Sequence, residues 1–451
     1  MKYLIKNGLV VNENIIEKKD ILISNNIIEM FEIDIQIKED YKIIDCEGMF
    51  VFPGLIDDQV HFREPGLTHK GNIFSESRAA VAGGITSYFE MPNTNPQTTN
   101  ITELSKKFDV ASKNSLANYS FMFGGTNSNF EEIKKLNFNE IPAIKIFLGS
   151  STGDMLVDDY SVIKEIMKFS PVPLVVHSED ENIIKRNLKD YKERFGDAIP
   201  IEFHPKIRSQ EACLQSTKKI IELALECDSR LHVFHLSTGL ESKLFDVLPL
   251  NQKKITSEVC IHHLTFTDED YSKKGSFIKW NPAVKSKSDR DQLWKALNED
   301  RIDIVATDHA PHTLEEKNNE YTSCPSGGPL VQHSLIVMFE HFLNNRISLE
   351  KLVQKMCHNP AILFNVKKRG FIKKGYYADI VVLDPNEKQV VTEKSILYKC
   401  GWSPFLGDSF SSTVKYTFVN GHMAYNDGVI DDTVLGKKIE FESCKKFLCV
   451  Y

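Results

Sequence analysis

His61, His177, His235 and Asp308 each close an apolar run. Met49–Ile56 leads into Asp57-Asp58-Gln59-Val60-His61, Val175-Val176 into His177, Val233-Phe234 into His235, and Ala306-Thr307 into Asp308. Three imidazoles and a carboxylate can supply a divalent transition-metal site. Lys145 sits inside Ala143-Ile144-Lys145-Ile146-Phe147-Leu148-Gly149, where an ammonium is costly unless neutral or paired. The plain reading is a lysine that reaches an acidic neighbour. The sharper one uses burial, which lowers an ammonium pKa. A neutral amine adds CO2 to give a carbamate, an anionic oxygen ligand able to bridge two cations. Side chains on a strand alternate with period two, so Gln59, His61 and Arg63 point the same way. Arg63 is then a cation beside the metal ligands, suited to bidentate carboxylate binding. Asn93, in Glu90-Met91-Pro92-Asn93-Thr94, offers both a donor and an acceptor. His232 and His235 are three apart, so on a strand they face opposite ways, and His232 is expected to face outward, towards the helices.

These residues need a frame that brings them together. Eight strand candidates end near 59–63, 90–93, 121–124, 145–149, 177–179, 235–237, 258–262 and 308–312. Helical patterns lie between them, at 76–82, 101–113, 161–169, 210–226, 241–248 and 290–298, with a long excursion between His177 and Arg230. Strand and helix alternating in this way predict an α/β fold, a parallel sheet closed as a (β/α)8 TIM-like barrel. In such a barrel the C-terminal strand ends converge on one face, where active sites are built. One strand-end His is ordinarily structural. His61, Asn93, Lys145, His177, His235 and Asp308 on a single face favour a site.

Both ends of the chain read differently. Tyr3–Ile5, Leu9–Val11, Asp20–Ile23 and Lys42–Asp45 are short β-rich runs, as are Asp379–Leu383, Val414–Val419 and Met423–Tyr425, with Asn420-Gly421 as a hairpin signal. The expected division is 1–52 and 366–451 as two parts of one small β-sandwich domain, with 53–365 as the barrel. Ser150-Ser151-Thr152-Gly153-Asp154 follows the fourth strand. The segment 150–159 is read either as a loop that closes on substrate or as an ordinary connection.

The chain has 451 residues, 41% apolar and 26% charged, with a formal net charge of −7. That is ordinary for a soluble globular protein. No basic cluster suits nucleic acid, no apolar stretch reaches transmembrane length, and the first residues lack the features of a signal peptide. Nine scattered cysteines without a Cys-x-x-Cys read as reduced thiols in a cytoplasm. The expected partner is a small-molecule substrate, and a homodimer is compatible with this reading.

Asp57–Gly66 resembles the opening metal motif of the amidohydrolase superfamily, in which the first barrel strand ends in His-x-His. Here Gln59 replaces the first His. The tail Arg63-Glu64-Pro65-Gly66 is the form found in the dihydroorotase branch. Together with Val175–Glu179, His232–Ser237 and Ala306–His312, the resemblance spans the chain. It implies zinc, one or two ions per chain. One ion would be held by Gln59, His61, Lys145 and Asp308, and the other by Lys145, His177 and His235, with Lys145 N6-carboxylated. It implies Asp308 as the catalytic proton carrier, and Arg63, Asn93, Asn281 and His312 as substrate contacts. The pair matching His262-His263 lies near the site in relatives without ligating. The implied reaction is reversible ring opening of dihydroorotate to N-carbamoyl-aspartate, a step of pyrimidine synthesis. Hydantoinases and allantoinases are similar in the metal motif but lack the arginine at the position of Arg63. Other cyclic amidases stay as the alternative.

Gln59 departs from the pattern, since an amide is a weaker zinc ligand than imidazole. Three readings stand: a working enzyme with an asymmetric metal pair, a single filled site, or a non-catalytic homologue that scaffolds another enzyme. Every other expected position is filled, which favours the enzyme.

Overall fold

Eight parallel strands run Leu55–Val60, Ile85–Glu90, Asn118–Phe121 continued by Phe123–Gly124, Ile144–Phe147, Leu174–His177, Leu231–Val233, Ile255–Cys260 and Ile304–Ala306. They belong to a computed structural model that describes residues 2–38, 40–149 and 155–442. Consecutive strands pair in parallel. The ring closes where the His61 N–H donates to the His309 carbonyl at 2.7 Å and Val60 bridges to His309. The result is the expected (β/α)8 barrel. Ile56, Phe89, Met91, Met122, Ala143, Val175, Phe234 and Ile304 form one buried cluster inside it. Strands packed on both faces explain the near-continuous apolar runs of the sequence.

Helices Ile73–Ala82, Ile101–Asn114, Tyr160–Phe169, Gln210–Glu226 and Lys287–Asn298 match the periodic patterns, each started by an Asn, Asp or Ser side chain that accepts from a first-turn N–H. Two stretches differ. The expected helix at 241–248 shrinks to Gly239–Ser242, and Leu248 precedes Pro249, a position that disfavours helical backbone. The long excursion carries a further helix, Glu181–Phe195, capped by Asp180, whose carboxylate accepts from the Asn182 and Ile183 N–H groups.

The two chain ends build a β-sandwich. One sheet runs Ile27–Glu32, Asp20–Ser24, Lys2–Lys6 and Tyr41–Asp45. The other interleaves Leu9–Asn12, Ile15–Lys18 and Phe50–Pro53 with Ile380–Asp384, Thr413–Val419, His422–Asn426 and Val429–Ile430. Ile5, Ile21 and Ile23 of the first sheet pack on Val10, Val51, Ile380 and Phe418 of the second. Asn420 and Gly421 both take positive φ, 50° and 77°, the backbone of a two-residue hairpin that Asn-Gly favours. Ser150–Asp154, read as either a closing loop or an ordinary connection, lies outside the described residues. Among the described residues no helix is long and apolar enough to cross a membrane.

Candidate active site

At the C-terminal ends of the strands one pocket is lined by Gln59, His61, Arg63, Asn93, Lys145, His177, His235, Asn281 and Asp308, with Phe147 and Trp280 in its wall. Every expected metal ligand is there, and so are three of the four expected substrate contacts. The fourth, His312, is fully buried behind Arg63. Its Nε2 lies 2.9 Å from Arg63 Nη2 and its Nδ1 3.1 Å from Lys70 Nζ. Burial and these two cations hold the His312 imidazole neutral, well below its ordinary pKa.

The expected ligands form two close pairs. His61 Nε2 lies 3.2 Å from Asp308 Oδ1, and its Nδ1–H donates to Asn93 Oδ1 at 2.9 Å. His177 Nδ1 lies 3.0 Å from His235 Nε2. In the same pocket, Lys145 Nζ is buried over the Phe234 ring, 3.9 Å from its centroid, with no hydrogen-bond partner among the described residues, and His235 Nδ1 is likewise unpartnered. Burial pushes the Lys145 ammonium down to about 7, against the opposing pull of Glu258, Asp308, Cys260 and Asp58. Burial also raises the Asp308 carboxyl to about 7, opposed by Lys145, His177 and Arg63. An unpaired buried polar atom costs roughly 1–3 kcal/mol. A near-neutral amine without a hydrogen-bond partner, in one pocket with two imidazole-containing ligand pairs, fits a metal centre that includes Lys145.

Three of these residues stand on unusual backbone. Arg63, His235 and Asp308 have φ of 70°, 40° and 48°, a region costly for non-glycine residues and concentrated at functional sites. The strand carrying His235 stops at Val233, so period-two alternation does not extend to it. This corrects the expectation for His232. Its Nε2 lies 3.4 Å from Glu258 Oε2 and 3.7 Å from Asp58 Oδ2. Strands six and one are not neighbours, so His232 meets Asp58 only by pointing into the barrel, on the same side as Phe234. His235 also turns inward because the backbone bends after the strand. Strand one has a similar break. Its pairing with strand two shifts register between Asp57 and Val60, so Asp58 and Gln59 both point inward.

Glu179 and Arg208 were missed as functional residues. Glu179 accepts from His177 Nε2–H at 2.9 Å and pairs with Arg208. Burial pushes its carboxyl up, but Arg208, His177 and Lys285 outweigh that and hold it down to about 2. A carboxylate on the far nitrogen of a ligating His fixes its tautomer and ring orientation. The signal in the sequence was an acid two residues after His177, although the strand itself ends at His177 and the turn after it brings the two side chains together. Glu179→Gln is expected to weaken cation binding at the His177–His235 pair by about 10–100-fold. Competition with a chromogenic chelator measures this, and unchanged affinity would show that Glu179 does not set the imidazole.

Gln59 Oε1 is met by the Cys260 thiol at 3.7 Å. With an amide beside His61, the cation nearest His61 should be the more weakly held. Limited chelation of the loaded protein is expected to remove one ion well before the other, and Gln59→His is expected to tighten the weaker site. Equal resistance of both ions to chelation, with no effect of the substitution, would show that Gln59 is not directed at the metal centre.

A parallel barrel with a β-sandwich and this strand-end site define a class of hydrolase. Residues 50–424 match the model of the amidohydrolase family, and the chain belongs to that family. It is 34% identical to a dihydroorotase of Carboxydothermus hydrogenoformans over 94% of this chain and 98% of that one. It is 30% identical to an allantoinase of Desulfitobacterium hafniense over 97% and 98%. Its fold superposes on an L-hydantoinase (dihydropyrimidinase) of Arthrobacter aurescens with a TM-score of 0.90, at 26% identity, covering 97% of this chain and 99% of that one. The protein is a hydrolase of cyclic amides.

Proposed function

We propose that the protein is a dihydroorotase, catalysing the reversible hydrolysis of (S)-dihydroorotate to N-carbamoyl-L-aspartate in pyrimidine biosynthesis. The observation that carries this is Arg63. Its guanidinium is 2% exposed, lines the pocket, and has no carboxylate partner among the described ion pairs. Its Nε–H donates to the Pro311 carbonyl at 3.0 Å. Burial pushes it down to about 10, against the opposing pull of Asp308, Glu316 and Glu90. A permanently charged group held without a counter-ion beside the ligand pairs suits a substrate that brings its own carboxylate. The sequence identity to dihydroorotases supports the same reading.

His61, Lys145, Asp308 and Gln59 on one side, and Lys145, His177 and His235 on the other, would hold zinc, with Lys145 carboxylated on Nζ. Such a centre supplies polarisation of the amide carbonyl and activation of water at neutral pH. The remaining work falls to the chain. Arg63 takes the ring carboxylate by its fork, and His312 and Pro311 fix that fork in place. Asn93, its Oδ1 held by His61, keeps its amide N–H groups for the substrate, and Asn281 reaches from the opposite wall. Held in this way, the reacting carbonyl lies over the ligand pairs. Asp308 accepts the proton released as water adds to that carbonyl and delivers it to the ring nitrogen as the C–N bond breaks. In the reverse direction it removes the ureido proton. The substrate is a small molecule, and a cytoplasmic homodimer belongs to the same reading.

Turnover of dihydroorotate, dihydrouracil, hydantoin and allantoin by the metal-loaded protein tests the assignment. Preference for dihydroorotate supports it. Preference for any of the other three rings overturns it in favour of the hydantoinase or allantoinase reading, and inactivity on all four would favour a scaffold.

A further inference from the structure

Strand Ile255–Cys260 ends in a thiol, and the turn that follows, Ile261–Thr265, carries His262 and His263. One ligand atom from each of Cys260, His262 and His263 lies within 4.8 Å of the other two, and all three residues are buried. Among the described residues neither ring nitrogen of His262 nor Nδ1 of His263 has a hydrogen-bond partner of good geometry, although the Thr307 backbone approaches His262. The thiol has only long contacts, 3.7 Å to Gln59 Oε1 and 4.0 Å to Glu258 Oε1. Buried imidazole nitrogens are ordinarily paired, so three in one place need a reason. His263 Nε2–H donates to the Pro282 carbonyl at 3.0 Å, leaving Nδ1 as a lone pair directed away from it. That is the arrangement seen when a ligating His is oriented through its other nitrogen. His262 stacks on Trp280 at 4.3 Å between ring centroids, which fixes its plane.

We infer that in this chain, unlike the non-ligating histidine pair of its relatives, Cys260, His262 and His263 form a separate thiolate–imidazole site for a borderline-soft divalent cation of the zinc class. One sulfur and two nitrogens match the three-protein-ligand zinc pattern with an open fourth position. On binding, the cation displaces the Cys260 proton to solvent and forms the metal–sulfur bond. None of the three residues belongs to the ligand set of the pocket. The site nevertheless touches the pocket, because the Pro282 carbonyl that orients His263 follows Asn281, a lining residue. Filling it would tie the end of strand seven to the segment that carries Asn281.

The test uses the full-length protein and cobalt(II) as the probe. The pocket ligands are nitrogen and oxygen only, so they give no sulfur-to-cobalt charge transfer. The wild type is expected to show that near-ultraviolet band on titration and to bind one more equivalent of cobalt than Cys260→Ser. A His262→Gln, His263→Gln double variant should lose the band as well. X-ray absorption of the zinc-loaded wild type is expected to show a sulfur scatterer at about 2.3 Å, a readout that does not depend on how the variants fold. The inference is overturned by the absence of both sulfur signatures at saturating metal, by equal cobalt stoichiometry in wild type and Cys260→Ser, or by a full band in the double-histidine variant.

Discussion

Arg63→Met is expected to lower kcat/KM for dihydroorotate by about 100-fold or more while leaving metal content unchanged. Truncating one partner of a buried, hydrogen-bonded charge pair costs about 2–5 kcal/mol, and about 1.4 kcal/mol is tenfold. The guanidinium has no carboxylate within ion-pair distance among the described residues, so its removal breaks no direct ion pair. Exchange for an apolar side chain of similar length is therefore expected to leave stability near that of the wild type. Thermal unfolding followed beside the kinetics separates the two effects. Any hydantoin turnover, which needs no carboxylate contact, should survive the change. An unaltered specificity constant for dihydroorotate would remove the carboxylate-binding role of Arg63 and most of the case against a hydantoinase.

Lys145→Ala is expected to have the largest effect of all, loss of both bound metal and turnover. The buried, unpartnered amine lines the same pocket as the His61–Asp308 and His177–His235 pairs, so an anionic bridge built on it would serve both. Losing metal-assisted charge stabilisation worth several kcal/mol corresponds to about 10^3-fold or more in rate. Short carboxylic acids, or bicarbonate with a small amine, fill the vacated space and should restore part of the metal content and activity. A Lys145→Ala protein with full metal and full turnover rules out the bridge. Loss without any chemical rescue, in a protein that still melts as the wild type does, would favour the plainer reading of Lys145 as the counter-ion of Asp58 and Glu258.

Much of this protein is determined locally. Apolar runs that end in His61, His177, His235 and Asp308 marked the strand ends to within two residues, because a strand packed on both faces must be apolar until it emerges at the barrel rim. The caps of helices such as Ser209 and Asp180, and the Asn420-Gly421 turn, are likewise written in adjacent residues. Gln59, His61 and Arg63, expected on one side by alternation, all line the pocket, although the strand ends at Val60 and Arg63 takes positive φ.

What only the tertiary structure decided are the places where alternation stops. His232 and His235 both turn inward because strand six ends at Val233 and His235 takes positive φ. Asp58 joins Gln59 in the interior because strand one slips its register. Contacts between strands that are not neighbours also lie beyond the reach of sequence spacing. Asp58 meets His232, and the Cys260 thiol meets Gln59, only because closing the ring points side chains from opposite walls at one another. Arg63 without a counter-ion belongs to the same group. Its charge is legible from one letter, but the absence of a partner is a property of everything packed around it.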